Sequence, residues 1–312
     1  MHKREQTVAD MNKHERMHPI MNNVESGDAA LAPASWQALA FRLKQKLMAK
    51  LDSNFSFIGT IGNVTAYRLP GVKGVIIRRK GGATARQIRE GRNYENTRRM
   101  NMEFAGRSAC VKLLARILWP LSRLADHNIY GPLHALMNVV QKADTKSSLG
   151  KRNVCLSRNP ALLTSFAFNR DTSFSRIVRP QLEQTLSREH GMATVSIPSL
   201  IPGINFHPTP NHPMFRIVAV LGLLPDMFYR NEKYSPSHND YNQFAPVITT
   251  SEWFSTREVS PGLSFSLSLP YSAPDAHFSM ILGIGYEAGF PENRNSFVGM
   301  KREGAAEIVM VQ

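Results

Sequence analysis

Leu263-Ser264-Phe265-Ser266-Leu267-Ser268-Leu269 decides how the second half of this chain is read. Apolar side chains alternate with serines without a break, which is the period of a strand with one face buried and the other in water. An amphipathic helix repeats every 3.6 residues and cannot sort these residues by face. Five more stretches have strand character: 193–198, 214–224, 247–254, 278–286 and 305–311, with Pro, Gly and Asn turns between them. Short strands at such intervals predict an antiparallel β-sandwich of immunoglobulin-like architecture over residues 160–312. The Cys, Trp, Cys spacing of antibody domains is missing, so the expectation is one of architecture only.

Upstream the period changes. Met100, Phe104, Val111, Leu114 and Leu118 fall on one face of a helix predicted over 94–118, with Pro120 as its stop. Leu133, Leu136, Met137 and Val140 stripe a second helix over 132–143, opened by Gly131-Pro132. Before the helices lie two strand-like runs, 55–69 and 72–79, joined by the turn Leu69-Pro70-Gly71. Gly59-Thr60-Ile61-Gly62-Asn63 interrupts the first run, where glycine can supply a positive φ. A β-hairpin beside two helices makes an α+β module over 48–150, closed by the polar linker Thr145-Lys146-Ser147-Ser148-Leu149-Gly150. The whole chain is therefore expected to be α+β.

Residues 1–47 are polar and without strand or core pattern, except that Trp36, Leu39, Ala40, Leu43 and Leu47 make one apolar helical face. A docked helix and a membrane-surface helix both remain open, as does an over-called extension ahead of a start at Met48. The chain has 312 residues, 42% apolar and 20% charged, which excludes a stapled mini-protein and wholesale disorder. No apolar run reaches the ~18 residues of a membrane-spanning helix. Two cysteines, Cys110 and Cys155, exclude a disulfide framework and a four-cysteine zinc site. Without an apolar signal stretch in residues 1–30, the expected compartment is the cytoplasm.

Charge is the unusual bulk property, with 38 Lys and Arg against 24 Asp and Glu. Residues 51–200 hold 23 basic against 9 acidic side chains, whereas 201–312 hold 7 against 10. A basic segment of this kind suits a polyanionic partner such as nucleic acid. Arg78, Arg79, Lys80, Arg86, Arg89, Arg92, Arg98 and Arg99 are the candidate phosphate contacts, because the forked guanidinium matches phosphate oxygens. Only Tyr94 interleaves them, so base stacking is not expected. His207 and His212 flank a proline-rich loop that cannot align them on a helix, and no third ligand is near in sequence, so neither metal nor cofactor is expected. Glu252, Asp275, Glu287 and Glu292 have no spacing that singles out a catalytic pair. Arg107, Lys112 and Arg116 around Cys110 could lower a thiol pKa, against the plainer reading of a packed cysteine.

Residues 48–312 also resemble a family of uncharacterised Bacteroidota proteins, a domain of unknown function. The likeness rests on Gly59-x-x-Gly62-Asn63-x-x-x-Tyr67, Asn96-Thr97-Arg98-Arg99, Leu118-Trp119-Pro120-Leu121, Pro202-Gly203-Ile204-Asn205-Phe206 and Thr250-Ser251-Glu252-Trp253-Phe254. It implies a start at Met48 and a β-rich C-terminal module, and it brings no activity with it. The resulting expectation is a non-catalytic structural or interaction protein, binding an unidentified protein partner or assembling with itself. The alternatives are a nucleic-acid-associated protein using residues 51–200, and an enzyme whose pocket would gather groups that the sequence keeps apart.

Overall fold

The computed structural model describes residues 49–51, 57–69, 74–79, 81–238, 244–271, 273–293 and 296–312. The polar tail with its expected helix, Lys80 and most of the Leu69-Pro70-Gly71 turn lie outside these residues. The chain divides into two compact units, one ending at Gly82 and the other running Ala83–Gln312.

In the first unit, Gly62 at φ 58° turns β2 (Gly59–Ile61) back onto β3 (Val64–Tyr67) through the two-residue loop Gly62-Asn63. Only glycine takes such a φ without a steric penalty, which explains the interruption in the strand-like run. β4 (Val75–Arg79) pairs with β3 on one side and with β1 (Ala49–Leu51) on the other. The expected hairpin is thus an antiparallel sheet of order β1-β4-β3-β2.

The second unit is built on two long strands, β7 (Met214–Pro225) and β13 (Phe278–Pro291), paired antiparallel from Met214 opposite Gly289 to Pro225 opposite Phe278. β10 (Val247–Thr250) and β11 (Phe254–Ser255) add to β7, while β14 (Phe297–Gly299) and β15 (Ala305–Val311) add to β13. A smaller antiparallel sheet has the order β12-β6-β5, from β12 (Leu263–Ser268), β6 (Met192–Ile197) and β5 (Glu183–Ser187). Val195, Ile197, Phe265 and Leu267 of the small sheet share one core with Phe215, Ile217, Leu221, Leu282, Ile284 and Tyr286 of the large one. Phe265 and Leu267 are buried and Ser264, Ser266 and Ser268 exposed, as the alternation requires.

Three helices, α2 (Glu95–Ile117), α3 (Trp119–Ser122) and α4 (Tyr130–Lys142), cover the other face of the large sheet, whereas α1 (Ala85–Glu90) buries no residue and α5 (Phe174–Ile177) packs into the core that the two sheets share. Leu114, Ile117, Leu118, Leu121, Leu133 and Met137 from the helical segment form a second core with Val218, Val220, Ile281 and Ile308 of the sheet. The approach is close because the sheet has glycines there. A Cβ on Gly222 would stand 2.5 Å from Ile117 Cγ2, one on Gly283 2.6 Å from Leu121 Cδ1, and one on Gly285 2.6 Å from Leu124 Cδ1.

Several expectations change. The helices expected in the module 48–150 lie in the same unit as the strands expected in 160–312, so the division falls at Gly82 and not in the run 145–150. α2 ends at Ile117, within one residue of the expected 118, but Pro120 does not halt the chain there; it sits in the first turn of the separate short helix α3, where a missing N–H costs no hydrogen bond. Met100 and Phe104 are exposed, because the first half of α2 buries Glu103, Gly106 and Arg107. β5, β14 and the hairpin of β8 (Met227–Arg230) with β9 (Lys233–Pro236) have little apolar alternation, and tertiary pairing makes them strands.

Denaturant unfolding of three variants tests the layers. Gly222→Ala is expected to cost roughly 1 to 3 kcal/mol, because Ile117 is buried and stiff at χ1. Phe265→Ala should cost roughly 3 to 5 kcal/mol, whereas Ser266→Ala should stay within about 0.5 kcal/mol. Equal losses from all three would contradict the assignment of faces.

Candidate functional site

The basic segment begins at a helix cap. Thr84 Oγ1 accepts from the Gln87 N–H at 3.2 Å, while Gln87 Oε1 accepts from the Thr84 N–H at 2.8 Å, a capping box that starts α1. Arg98 Nη1 donates to the carbonyls of Ile88 at 2.7 Å and Gly91 at 2.8 Å, so it clamps the junction of α1 and α2. Arg86 pairs with Glu90 at 2.9 Å, and Arg99 pairs with Glu95 one turn before it. Both pairs are exposed and cost little to open. Arg89 and Arg92 are exposed and make no ion pair among the described residues. Arg78 and Arg79 are exposed at the end of β4, in the other unit; Lys80 is outside the described residues.

The second unit also holds a buried polar network. Arg152 donates from Nε to Glu103 Oε1 at 2.7 Å and from Nη2 to Oε2 at 2.6 Å, and the Gly150 N–H adds 2.9 Å to Oε1. Burial acts to raise the Glu103 pKa, but these donors outweigh it and hold the carboxyl below the ordinary glutamate range. Arg107 Nη1 donates to Gln141 Oε1 at 2.7 Å, and both Gln141 Nε2 and Tyr234 Oη donate to the Arg152 carbonyl at 2.8 Å. The expected linker is fastened as well. Asp144 accepts from the Lys146 and Ser147 N–H groups at 3.1 Å and from the Asn153 N–H at 2.8 Å.

Over the network the helices carry an aromatic ridge. Phe104 stacks on His134 at 5.1 Å and an interplanar angle of 12°, joining α2 to α4, and the Arg107 guanidinium lies 5.7 Å from the Phe104 ring centroid. Met100 is one turn from Phe104 and Tyr130 one turn from His134; Met100, Phe104 and Tyr130 are 43%, 53% and 51% exposed. Burial and the neighbouring Arg107 push the His134 pKa down, which keeps the ring neutral at pH 7.

The remaining candidates do not converge. Burial pushes the Cys110 thiol up to about 12, the opposite of activation. Glu287 is paired with Arg216 Nε at 2.7 Å, beneath Trp253, whose ring centroid is 4.7 Å from that guanidinium. His212 Nδ1 is 3.4 Å from Thr209 Oγ1, whereas the buried His207 Nδ1 has no hydrogen-bond partner. No group of three His, Cys, Asp or Glu side chains able to hold a metal occurs among the described residues. Asp226 is a buried acid that sequence reasoning passed over; it accepts from Ser157 N–H at 3.2 Å and Oγ at 2.5 Å, and burial raises its pKa. Glu103 and Arg107 did have a signal. They extend the stripe Cys110, Leu114, Ile117 back by helical steps, into residues whose charge suggests a surface.

Acid should reveal the Asp144 loop. Burial raises this pKa, but the Asn153, Ser147 and Lys146 donors bring it from 3.8 to about 2. A folded pKa below the unfolded one gives stability that is full above pH ~3.8 and is lost as pH falls through about 2. Asp144→Asn is therefore expected to cost roughly 1 to 2 kcal/mol at pH 7 and progressively less below pH ~4. A difference independent of pH, measured by urea unfolding, would count against the loop acting through its charge. No protein-family model matches this chain, and no curated protein or solved structure is similar to it.

Proposed function

We propose that the chain is a non-catalytic interaction protein, whose facing sheets act as a β-sandwich scaffold and whose helical layer meets a protein partner or a second copy of the chain. The observation that carries this reading is the ridge of Met100, Phe104 and Tyr130, backed by Arg107 and seated on the buried network. Exposed aromatic and Met side chains beside an arginine have the composition of interface hot spots, and a rigid base lowers the entropy lost on binding. The shared core of the two antiparallel sheets supports the sandwich reading. The helices on the outer face of the large sheet depart from the immunoglobulin pattern.

Phe104→Ala combined with Tyr130→Ala should leave the melting temperature within a few degrees, since both side chains are half exposed. The pair is expected to weaken self-association, or recovery of the partner that co-purifies with the wild-type chain, by about tenfold or more. Unchanged association by sedimentation and unchanged recovery would refute the reading.

A second reading, binding of nucleic acid, is favoured by the exposed and unpaired state of Arg78, Arg79, Arg89 and Arg92 among the described residues. Affinity for duplex DNA should then fall with salt, each phosphate contributing about 0.9 to the slope of log affinity against log salt. Replacing Arg89 and Arg92 with Ser should lower that slope by up to roughly 2, regardless of base sequence. No binding at ~50 mM salt would remove this reading.

A further inference from the structure

A cleft of about 350 Å³ opens where α5, β5 and β15 meet, at the seam between the small sheet and the large one. Such a volume lies within the range of small-ligand sites. Phe174, Val178, Leu182 and Val309 give it an apolar side, and Ser165, Ser175, Gln181, Gln184 and Glu307 a polar one. Two polar groups lining it are acceptors without adequate donors. Glu307, half-buried on β15, receives the backbone N–H of Ser175 and makes no ion pair among the described residues. Gln184, on β5, turns its Nε2 toward the Val309 carbonyl at 3.4 Å, and its Oε1 is buried with no hydrogen-bond partner.

The chemistry that completes such a site is specific. An anion would meet a carboxylate, and a neutral apolar ligand would bring no donor to either acceptor. A cation with N–H donors and a short apolar chain answers the acceptors and the walls together. We propose that this cleft binds an organic cation, a primary ammonium or guanidinium on a short alkyl chain, with Glu307 as its counter-ion and Gln184 Oε1 as a second acceptor. Burial without a countercharge holds the Glu307 pKa up, the state expected of a carboxyl that lacks its partner. Arg179 lines the same cleft but is exposed and does not pair with Glu307, so it stands at the rim. The site is distinct from the ridge on α2 and α4 and does not rest on the interaction reading.

The cation can be a free amine or the side chain of a Lys in another protein. Isopentylamine represents the first source and N-acetyl-lysine methylamide the second. Titration of the full chain with each, followed by methyl NMR, should shift the Val178, Leu182 and Val309 resonances. 3-Methylbutanol and 4-methylpentanoate, which match the first probe in shape but lack its charge, should bind at least about tenfold more weakly. Glu307→Gln, which keeps an acceptor for the Ser175 N–H, should weaken the amines by a similar factor, and Arg179→Ala should not weaken them. A response to isopentylamine alone identifies a free amine; a response to both probes identifies the side-chain form. Should Glu307→Gln fail to fold, the comparison of amine with alcohol on the wild-type chain decides. Equal shifts from amine and alcohol, or no shift at the three methyl groups, would overturn the proposal.

Discussion

The helical layer rests on the large sheet at Gly222, Gly283 and Gly285, and the placement of α2 depends on that contact. Ile117, Leu121 and Leu124 occupy the volume in which these three residues would otherwise hold side chains. Close packing of this kind has few alternative arrangements, because a buried interface at organic-crystal density does not slide. The position of α2 follows from it, and with α2 come Glu103, Arg107 and Phe104. Gly106 repeats the device on the helix itself, where a Cβ would stand 2.6 Å from the Tyr234 ring. Tyr234 belongs to β9, so α2 is packed closely against the β8-β9 hairpin as well as the large sheet, and the polar network beneath the ridge is held from two directions.

The sheets were the most legible part of the sequence. The alternation in 263–269 matches β12, which buries one face, and the apolar runs 214–224 and 278–286 match β7 and β13, which are buried on both, so local pattern agrees with tertiary environment. β5 is the opposite case. Glu183-Gln184-Thr185-Leu186-Ser187 has low strand character, and its pairing with β6 comes from a hairpin that only the fold completes. The helices were legible in extent but not wholly in face. Met100 and Phe104 look like core residues beside Glu103 and Arg107, and the structure inverts them, since a paired and hydrogen-bonded charge can be buried while an apolar side chain can stay in solvent. The boundary between units was missed for a related reason. A Ser- and Thr-rich run reads as a linker until its backbone donors are found on Asp144 and Glu103.

Charge counting has the same blind spot. Arg98, Arg107, Arg152 and Arg216 add to the net charge of the chain like any surface arginine, yet each is engaged with a carbonyl, an amide or a buried carboxylate. What is left for a polyanion is a smaller set than the composition suggests. The candidate cleft was invisible in sequence for a different reason. Gln184 and Glu307 are ordinary polar residues far apart in the chain, and their chemistry arises from what they fail to find around them.

The alternation on β13 has one more consequence. Gly283 and Gly285 lie beneath the helices, while Leu282, Ile284 and Tyr286 fill the core between the sheets. A slip of one residue against β7 would exchange the two sets, driving leucine and isoleucine into the space of Ile117 and Leu121 and leaving voids between the sheets. Both errors are costly, and they occur together. The helical layer thus acts as a template that rejects misaligned pairings of the two longest strands, so the correct hydrogen-bond ladder is selected by a surface that donates none of its bonds.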